Sequence, residues 1–186
     1  MRLRKKSDEV FVAEEGIIDL GDEALALVKR QAAASTRRRA RICAHRDGSD
    51  PVHEMLIAIS ADSYIHPHRH LAKAESFHIV EGEVDVVIFD DAGGIDRVVA
   101  LGASGTGRSF FYRLSESRYH TLIIRSKMLV VHEVTAGPFE RAGTVNAPFA
   151  PGEDEPARAT AYMLELAGRV AAYHAARRSR AGAVGA

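Results

Sequence analysis

The chain has 186 residues, of which 46% are apolar and 27% charged, so it is long enough for one domain with a substantial core and short for two. Its 25 Lys and Arg residues balance its 25 Asp and Glu residues, which gives no overall field that favours nucleic acid or an anionic membrane as a partner. Cys43 is the single cysteine, which excludes an intrachain disulfide and fits a reducing compartment.

The first residues are basic, but acidic residues interrupt the segment that follows and no apolar signal-peptide core is present in it. The longest apolar runs, such as Met55–Ile59, are too short to cross a bilayer. We therefore expect a cytoplasmic protein whose partner is a small molecule, with neither nucleic acid nor a membrane as a binding surface.

The N-terminal part of the chain predicts one strand and one helix. Val10–Ala13 is rich in β-favouring residues and is interpreted as an edge strand. The spacing of apolar residues then predicts a helix over Asp22–Ala34, with Asp22 as its N-cap. The apolar side of this helix is formed by Leu25, Leu27 and Val28.

Between Arg39 and Val134 the pattern changes to short strands separated by turn signals. The predicted strands are Met55–Ser60, Ser76–Val80, Glu83–Phe89, Ile95–Leu101, His120–Arg125 and Met128–Val134. Glu81 and Gly82 indicate a tight connection between two of them, and Asp90–Gly94 is a strong turn signal. Many short strands at this spacing predict a sandwich or a small barrel.

After the strand region, which Gly137 and Pro138 close, we expect a linker over Asn146–Glu155 and a second helix over Pro156–Arg178. Its modest apolar face comprises Met163, Leu164, Ala167, Val170, Ala171 and His174. Such a face packs on its own domain or on a second subunit. We expect residues 1–155 to form the domain and residues 156–186 to form the helix and a disordered tail that begins at Ala181.

The chemistry-bearing feature is a group of histidines followed by a glutamate. His68 and His70 lie two residues apart, so in a strand both side chains point the same way. A turn of four residues, Leu71–Ala74, allows the next strand to begin at Glu75 beside them, and His120 lies on a later strand. Imidazole and carboxylate together suit zinc, iron, manganese or nickel. The competing interpretation is a solvated turn that happens to be rich in histidine.

Two arginines are candidates for binding an anionic substrate. Arg39, Arg41, Cys43 and His45 share one face of a predicted strand. If that face looks into the barrel, the arginines could clamp a carboxylate or phosphate. If it faces solvent, it is the polar side of an edge strand. For Cys43 a small buried thiol is favoured over a nucleophile.

Several other residues carry alternatives that the sequence leaves open. Tyr64 could donate a hydrogen bond to a substrate or pack at the rim, and His66 could line the pocket mouth as a proton donor, although a surface histidine is favoured. Glu133 could accept a hydrogen bond from a ligand histidine, with a surface ion pair favoured. His78 has the opposite parity to Glu75, which predicts that it faces away from the metal.

The spacing His68-x-His70-x4-Glu75-x6-Gly82 resembles the first motif of the cupin family. His120 occupies the histidine position of the second cupin motif, although serines replace the Pro and Gly that precede it there. More narrowly, the chain resembles the WbuC-type cupin metalloproteins. The segments that carry this resemblance are Arg39–His45, Asp50–Leu56, Tyr64–His70, Phe89–Gly93, His120–Thr121, Glu133–Phe139 and Phe149–Pro151.

The resemblance implies an all-β-dominated, jelly-roll-like double-stranded β-helix with an N-terminal and a C-terminal helix, and a divalent metal held by His68, His70, Glu75 and His120. WbuC-type proteins are associated with O-antigen and other surface-polysaccharide gene clusters. The expected function is therefore that of a metal-binding cupin that acts on a small anionic or sugar-like molecule such as a sugar nucleotide. We also expect a homodimer. The alternatives are an iron- or manganese-dependent dioxygenase and a non-catalytic ligand-binding or sensor cupin; a metal-free epimerase fits the ligand set less well.

Overall fold

A computed structural model describes residues 1–184 of the chain. Its strands, in chain order, are β1 (Leu3–Lys5), β2 (Val10–Ala13), β3 (Arg39–Cys43), β4 (Val52–Ser60), β5 (His68–His70), β6 (Glu75–Glu81), β7 (Glu83–Phe89), β8 (Ile95–Gly102), β9 (Phe111–Leu114), β10 (Tyr119–Ile124), β11 (Met128–Ala136) and β12 (Thr144–Asn146). The two α-helices are α1 (Asp22–Ala34) and α2 (Pro156–Val184). Every strand predicted from the sequence is present, with bounds that shift by a few residues at most.

The strands form two sheets that face each other. One sheet has seven strands in the order β1-β2-β3-β4-β11-β6-β9, and the other has five in the order β12-β5-β10-β7-β8. All pairings are antiparallel except the parallel pair of β2 and β3. From β5 onwards the chain crosses repeatedly from one sheet to the other, which rolls the strands into a jelly-roll-like double-stranded β-helix. The expected all-β-dominated cupin fold is therefore confirmed.

The first helix covers the outer face of the seven-stranded sheet. It begins at Asp22, as predicted, but Gly21 and not Asp22 is its N-cap, and Asp22 instead places a negative charge in the first turn. The helix also follows two strands, so it is not the first element of the chain. Val28 and Ala32 are fully buried against Ala40 and other outward residues of β3 and β4. The expected edge strand β2 is covered by β1, which occupies the edge in its place.

The second helix covers the outer face of the five-stranded sheet and packs on its own domain. Leu166 and Val170 are fully buried there against β7 residues such as Phe89. Leu164, which was expected on this face, is instead 72% exposed, because the buried positions follow a helical spacing that starts from Ala159. No helix in the described part of the chain is both long and apolar enough to cross a membrane.

The C-terminal helix is longer than the sequence predicted. It continues beyond Arg178 to Val184, so the expectation that disorder begins at Ala181 is wrong for residues 181–184. This stretch is rich in alanine and arginine, which have high helix propensity and need no tertiary packing to extend an existing helix. Residues 185 and 186 of the expected tail lie outside the described residues.

Gly82 forms the tight connection between β6 and β7, and its replacement by alanine should lower stability. Its φ angle is +86°, and a Cβ atom there would lie 2.4 Å from the Met128 carbonyl oxygen. Gly105 has a similar φ of +89° but open space around it, so it is a matched control. We expect Gly105→Ala to cost about 1 kcal/mol from backbone strain and Gly82→Ala distinctly more, measured by urea unfolding. Equal losses would show that the close contact is relieved without cost.

Candidate metal centre

Three strands bring the four predicted ligands together. His68 and His70 lie on β5, and His120 on β10 stands directly opposite His68 in the antiparallel register. Glu75 is the first residue of β6, on the facing sheet. One ligand atom from each of these residues lies within 4.8 Å of the others. The geometry therefore matches a metal site, and a solvated histidine-rich turn does not describe it.

The glutamate lies between two of the histidines. Its Oε2 is 3.2 Å from His70 Nε2, and its Oε1 is 3.3 Å from His120 Nε2. The side chains of His70, Glu75 and His120 are only 11%, 6% and 2% exposed. These side chains thus have little contact with solvent, so the electrostatic interactions between them are only weakly screened.

The other ring nitrogen of each histidine is already occupied. His68 Nδ1 donates to the His66 carbonyl at 2.8 Å, and His120 Nδ1 donates to the Arg118 carbonyl at 3.0 Å. His70 Nδ1 lies 3.1 Å from the Thr144 hydroxyl on β12. Because a carbonyl oxygen can only accept, these contacts fix the tautomers of His68 and His120 and leave Nε2 with its lone pair free. Such outer contacts orient histidine ligands in metal sites.

Two buried atoms of the cluster support a bound cation. Glu75 Oε1 and His120 Nε2 have no hydrogen-bond partner within residues 1–184, although they face each other. Buried polar atoms rarely remain unsatisfied. Ligand atoms at about 2.0–2.2 Å from a shared ion lie about 3–3.5 Å apart. The residues present therefore fit a divalent metal.

The pKa shifts within the cluster also favour the binding of a metal ion. Burial lowers the pKa of His68 to about 4, so this imidazole is neutral at physiological pH and ready to act as a ligand. Burial would also lower the pKa of His120, but the Glu75 carboxylate beside it raises that pKa overall. Although burial alone would raise it, the His120 and His70 rings that face the two carboxylate oxygens hold the pKa of Glu75 below its usual range. The Glu75 carboxylate thus favours positive charge beside it, which a bound metal cation would supply.

The cluster opens into a cavity of about 550 Å³ between the two sheets. Arg39, Arg41, Cys43 and His45 line it, whereas Ala40 and Ile42 pack against α1 on the other side of β3. The polar face of β3 therefore lines the cavity, and Arg41 on this face is also exposed to solvent. Cys43 is a buried thiol, as favoured from the sequence, and burial raises its pKa.

The two candidate arginines differ in their partners. Arg39 Nη2 donates to Glu153 Oε1 at 2.7 Å, and its Nη1 donates to the Tyr64 carbonyl at 3.1 Å. Arg41 lies in the same wall with no ion pair among the described residues. The charge of Arg39 is thus already compensated by the protein, whereas the charge of Arg41 remains available to a ligand.

The aromatic candidates Tyr64 and His66 are tied to the segment before α2. The Tyr64 hydroxyl donates to the Pro151 carbonyl at 2.7 Å, and Tyr64 is not among the residues that line the cavity. His66 Nε2 donates to the Ala147 carbonyl at 3.2 Å, and the ring lines the cavity. The favoured interpretation of His66 as a surface histidine is therefore wrong. His78 is exposed and faces away from the cluster, as its parity predicted.

Glu133 corrects another expectation. Its favoured interpretation was a surface ion pair, but it lines the cavity and, within the described residues, has no ion-pair partner. Burial, together with the nearby charge of Glu75, raises the pKa of Glu133 to about 8. The alternation along β11 could have revealed this position, because Glu133 and Thr135 share the inward face while His132 pairs with Glu54 outside. His53 of β4 also lines the cavity and was missed, although it shares the parity of Met55.

Comparison with known proteins adds little to this geometry. A family model described as a domain of unknown function, DUF6016, matches residues 20–101, which is less than half of the chain. No functionally curated protein matches the sequence.

Solved structures of similar shape include a Shewanella oneidensis protein with 12% identity and a TM-score of 0.46, over 57% of this chain and 67% of that one. A Klebsiella pneumoniae protein with a double-stranded β-helix domain is 14% identical, with a TM-score of 0.46 over 61% of this chain and 82% of that one. An oxalate decarboxylase from Lactobacillus farciminis, in complex with formate, is 16% identical with a TM-score of 0.42 over 52% of this chain. The match spans only 27% of that decarboxylase.

Proposed function

We propose that this chain is a metal-dependent cupin that acts on a small anionic molecule held in the barrel cavity. The observation that supports the proposal is the buried cluster of His68, His70, Glu75 and His120 at the wall of a cavity that also carries arginine and lysine side chains. A cavity of about 550 Å³ is large enough for a sugar or a small carboxylic acid. Its wall combines a cation site with positive side chains, which suits a ligand rich in negatively charged oxygen.

In this proposal the three histidines and the glutamate hold a divalent metal, whose chemistry when bound is to polarise a ligand oxygen as a Lewis acid. The protein's own residues do the remaining work. The carbonyl oxygens of His66 and Arg118 hold two of the imidazoles in place. The position of the cluster between the two sheets limits the access of water to the metal ion. The basic side chains of the cavity wall orient the ligand's anionic group.

The finer assignment is part of the same proposal. The resemblance to WbuC-type cupins supports a role in surface-polysaccharide biosynthesis, with a sugar nucleotide or a related anionic sugar as the substrate. The single reduced thiol of Cys43 supports a cytoplasmic location. A homodimer completes the proposal, since β8 and β1 are sheet edges and β9 ends the other side of the seven-stranded sheet.

Elemental analysis of protein purified without a histidine tag tests the metal, and calorimetry tests the ligand. We expect about one divalent metal per chain and saturable binding of carboxylates or sugar nucleotides that disappears after chelation. A metal present at 100 times its dissociation constant should stabilise the fold by about 2.7 kcal/mol. The melting temperature should therefore rise by about 5–10 °C. A protein that retains no metal, or that binds anions equally well without it, would contradict the proposal.

A further inference from the structure

Some of the basic side chains that line the cavity have carboxylate partners and others do not. Seven basic side chains line the cavity: Arg4, Lys6, Arg37, Arg39, Arg41, Arg46 and Lys73. Four of these seven have carboxylate partners, namely Arg4 with Glu14, Arg37 with Glu9, Arg39 with Glu153 and Arg46 with Asp50. Lys6, Arg41 and Lys73 form no ion pair with any residue of the described chain. The protein thus compensates most of these cations and leaves three uncompensated.

Two of the uncompensated cations converge on one place. Lys6 N donates to the Val10 carbonyl at 2.8 Å, and Val10 stands opposite Arg41 in the β2–β3 register. Burial raises the pKa of the neighbouring Cys43 thiol, and the positive charges of Arg41 and Lys6 both oppose that rise. Lys6, Val10, Arg41 and Cys43 all line the cavity, so the Lys6 and Arg41 side chains reach it from adjoining stretches of backbone. Lys73 is separate, since it lies over the Phe139 ring at 5.9 Å, in the turn that precedes Glu75.

The converging pair lies well away from the metal ligands. Across the sheet, Glu75 is in register with Thr135, whereas Arg41 is in register through Ile57 with Val131. Val131 and Thr135 are four residues apart on β11, which corresponds to about 13 Å along the strand. Because arginine and lysine side chains are long, the charged groups of Arg41 and Lys6 can extend part of the way from their backbones towards the metal ligands. The cavity therefore has a metal end and a cation end.

Glu133 occupies the wall between the two ends. Its register partner on β4 is Met55, which in turn pairs with Cys43, so Glu133 lies one inward position from the row of Arg41. Its carboxyl group lines the same cavity as Arg41, yet the two form no ion pair within the described structure. The charge of the guanidinium is thus not compensated by Glu133.

We infer that the cavity takes an elongated ligand with two oxygen-rich ends: one at the histidine–glutamate cluster, and a carboxylate or phosphate group between Lys6 and Arg41. This inference rests on the proposed function and names its substrate class as a dianion. The guanidinium of Arg41 offers paired N–H donors that match the geometry of both anions. Lys6 adds a second positive charge beside them. A ligand with a single anionic group would leave this end of the cavity without its counterion.

Isothermal titration calorimetry on the metal-loaded full chain tests the inference. The probes are straight-chain dicarboxylates from malonate to adipate, each compared with the monocarboxylate of equal length, and phosphoglycolate as a phosphate-bearing probe. We expect one dianion length to bind about tenfold or more tightly than its monoanion, because hydrogen bonds between ionised groups are stronger than those between neutral ones. Phosphoglycolate distinguishes phosphate from carboxylate at the cation end, and either preference supports a dianion.

Arg41→Ala should remove this advantage while the metal content stays within about twofold of that of the unsubstituted protein. Lys6→Ala should reduce it in part, and serves as the second variant if Arg41→Ala does not fold. Arg46→Ala is the matched control, because its side chain lines the same cavity, is 88% exposed and already pairs with Asp50. Its dianion preference should be unchanged.

Two results would overturn the inference: equal binding of dianions and monoanions at every length, or equal losses in Arg41→Ala and Arg46→Ala. If monoanions bind only with the metal present and dianions bind no better, this inference is wrong and the proposed function still holds. If the unsubstituted protein binds neither a metal nor any of the anions, the proposed function itself is wrong.

Discussion

Replacing Glu75 with Gln should abolish stoichiometric metal retention. The Glu75 carboxylate is the single acidic member of the cluster, and its two oxygens each face a histidine Nε2 at 3.2–3.3 Å. The amide has the same shape but no charge, and it presents N–H donors to a cation. The loss of metal affinity should exceed the roughly 10- to 100-fold that outer-shell substitutions cause. Elemental analysis and competition with a coloured chelator measure it.

The matched control is His78→Ala, since His78 lies on the same strand as Glu75 with the opposite parity and is exposed. This variant should keep its full metal content. His120→Ala should lose metal as Glu75→Gln does, because the His120 ring is 2% exposed and its Nε2 faces the carboxylate. Full metal content in both Glu75→Gln and His120→Ala would refute the four-ligand site.

Leu166→Ala should destabilise the fold by about 2–5 kcal/mol, the usual cost of truncating a fully buried leucine. The Leu166 side chain has no exposed surface and packs with Val170 against the outer face of the five-stranded sheet. Its truncation leaves a cavity beneath α2 that the rigid sheet is unable to fill. Chemical denaturation monitored by circular dichroism gives the free energy of unfolding.

Leu164 offers an internal comparison two residues away on the same helix. Its side chain is 72% exposed, so Leu164→Ala should change the free energy of unfolding by less than about 0.5 kcal/mol. The two Leu→Ala substitutions then differ only in the face of α2 on which they lie. A large loss at Leu164 together with a small loss at Leu166 would mean that α2 packs on the sheet through a different face.

The alternation of side chains was the strongest guide from sequence to structure. On β3 it separates Arg39 and Arg41 from Ala40 and Ile42, although it leaves open which pair lines the cavity; the structure places the arginines there. The same reasoning placed His68 and His70 in one interior and His78 outside. These predictions held because a sheet buried on both faces leaves each strand one register that suits both sides.

Other features depend on tertiary pairing that no local pattern encodes. β1, β9 and β12 have only three or four residues each, too few to show a period, and they form because a neighbouring strand offers free backbone groups. The contact of Thr144 with His70 was therefore invisible in the sequence. The approach of the Lys6 backbone to the Arg41 row likewise follows from the pairing of β1 with β2 and of β2 with β3.

The serines that replace the usual residues of the second cupin motif show a further limit. In that motif a Pro and a Gly precede the histidine, and Ser115 and Ser117 stand at those positions here, so the motif alone supports His120 less than the other three residues. The structure places His120 opposite His68 by pairing β10 with β5, and the Arg118 carbonyl holds its Nδ1. Strand pairing, and not turn chemistry, is what positions this side chain.

The two helices on the outer faces have a consequence for how the binding properties of this barrel can change over time. On β3 and β4, each residue that packs beneath α1 alternates with one that lines the cavity. Substitutions at Arg41 or Met55 can therefore alter which molecule is accepted without disturbing the packing of Ile42 or Leu56. Neighbouring positions of one strand therefore serve separate purposes, since one packs beneath the helix and the next lines the cavity. A library randomised only at the cavity-lining positions would sample new ligands on an almost unchanged scaffold.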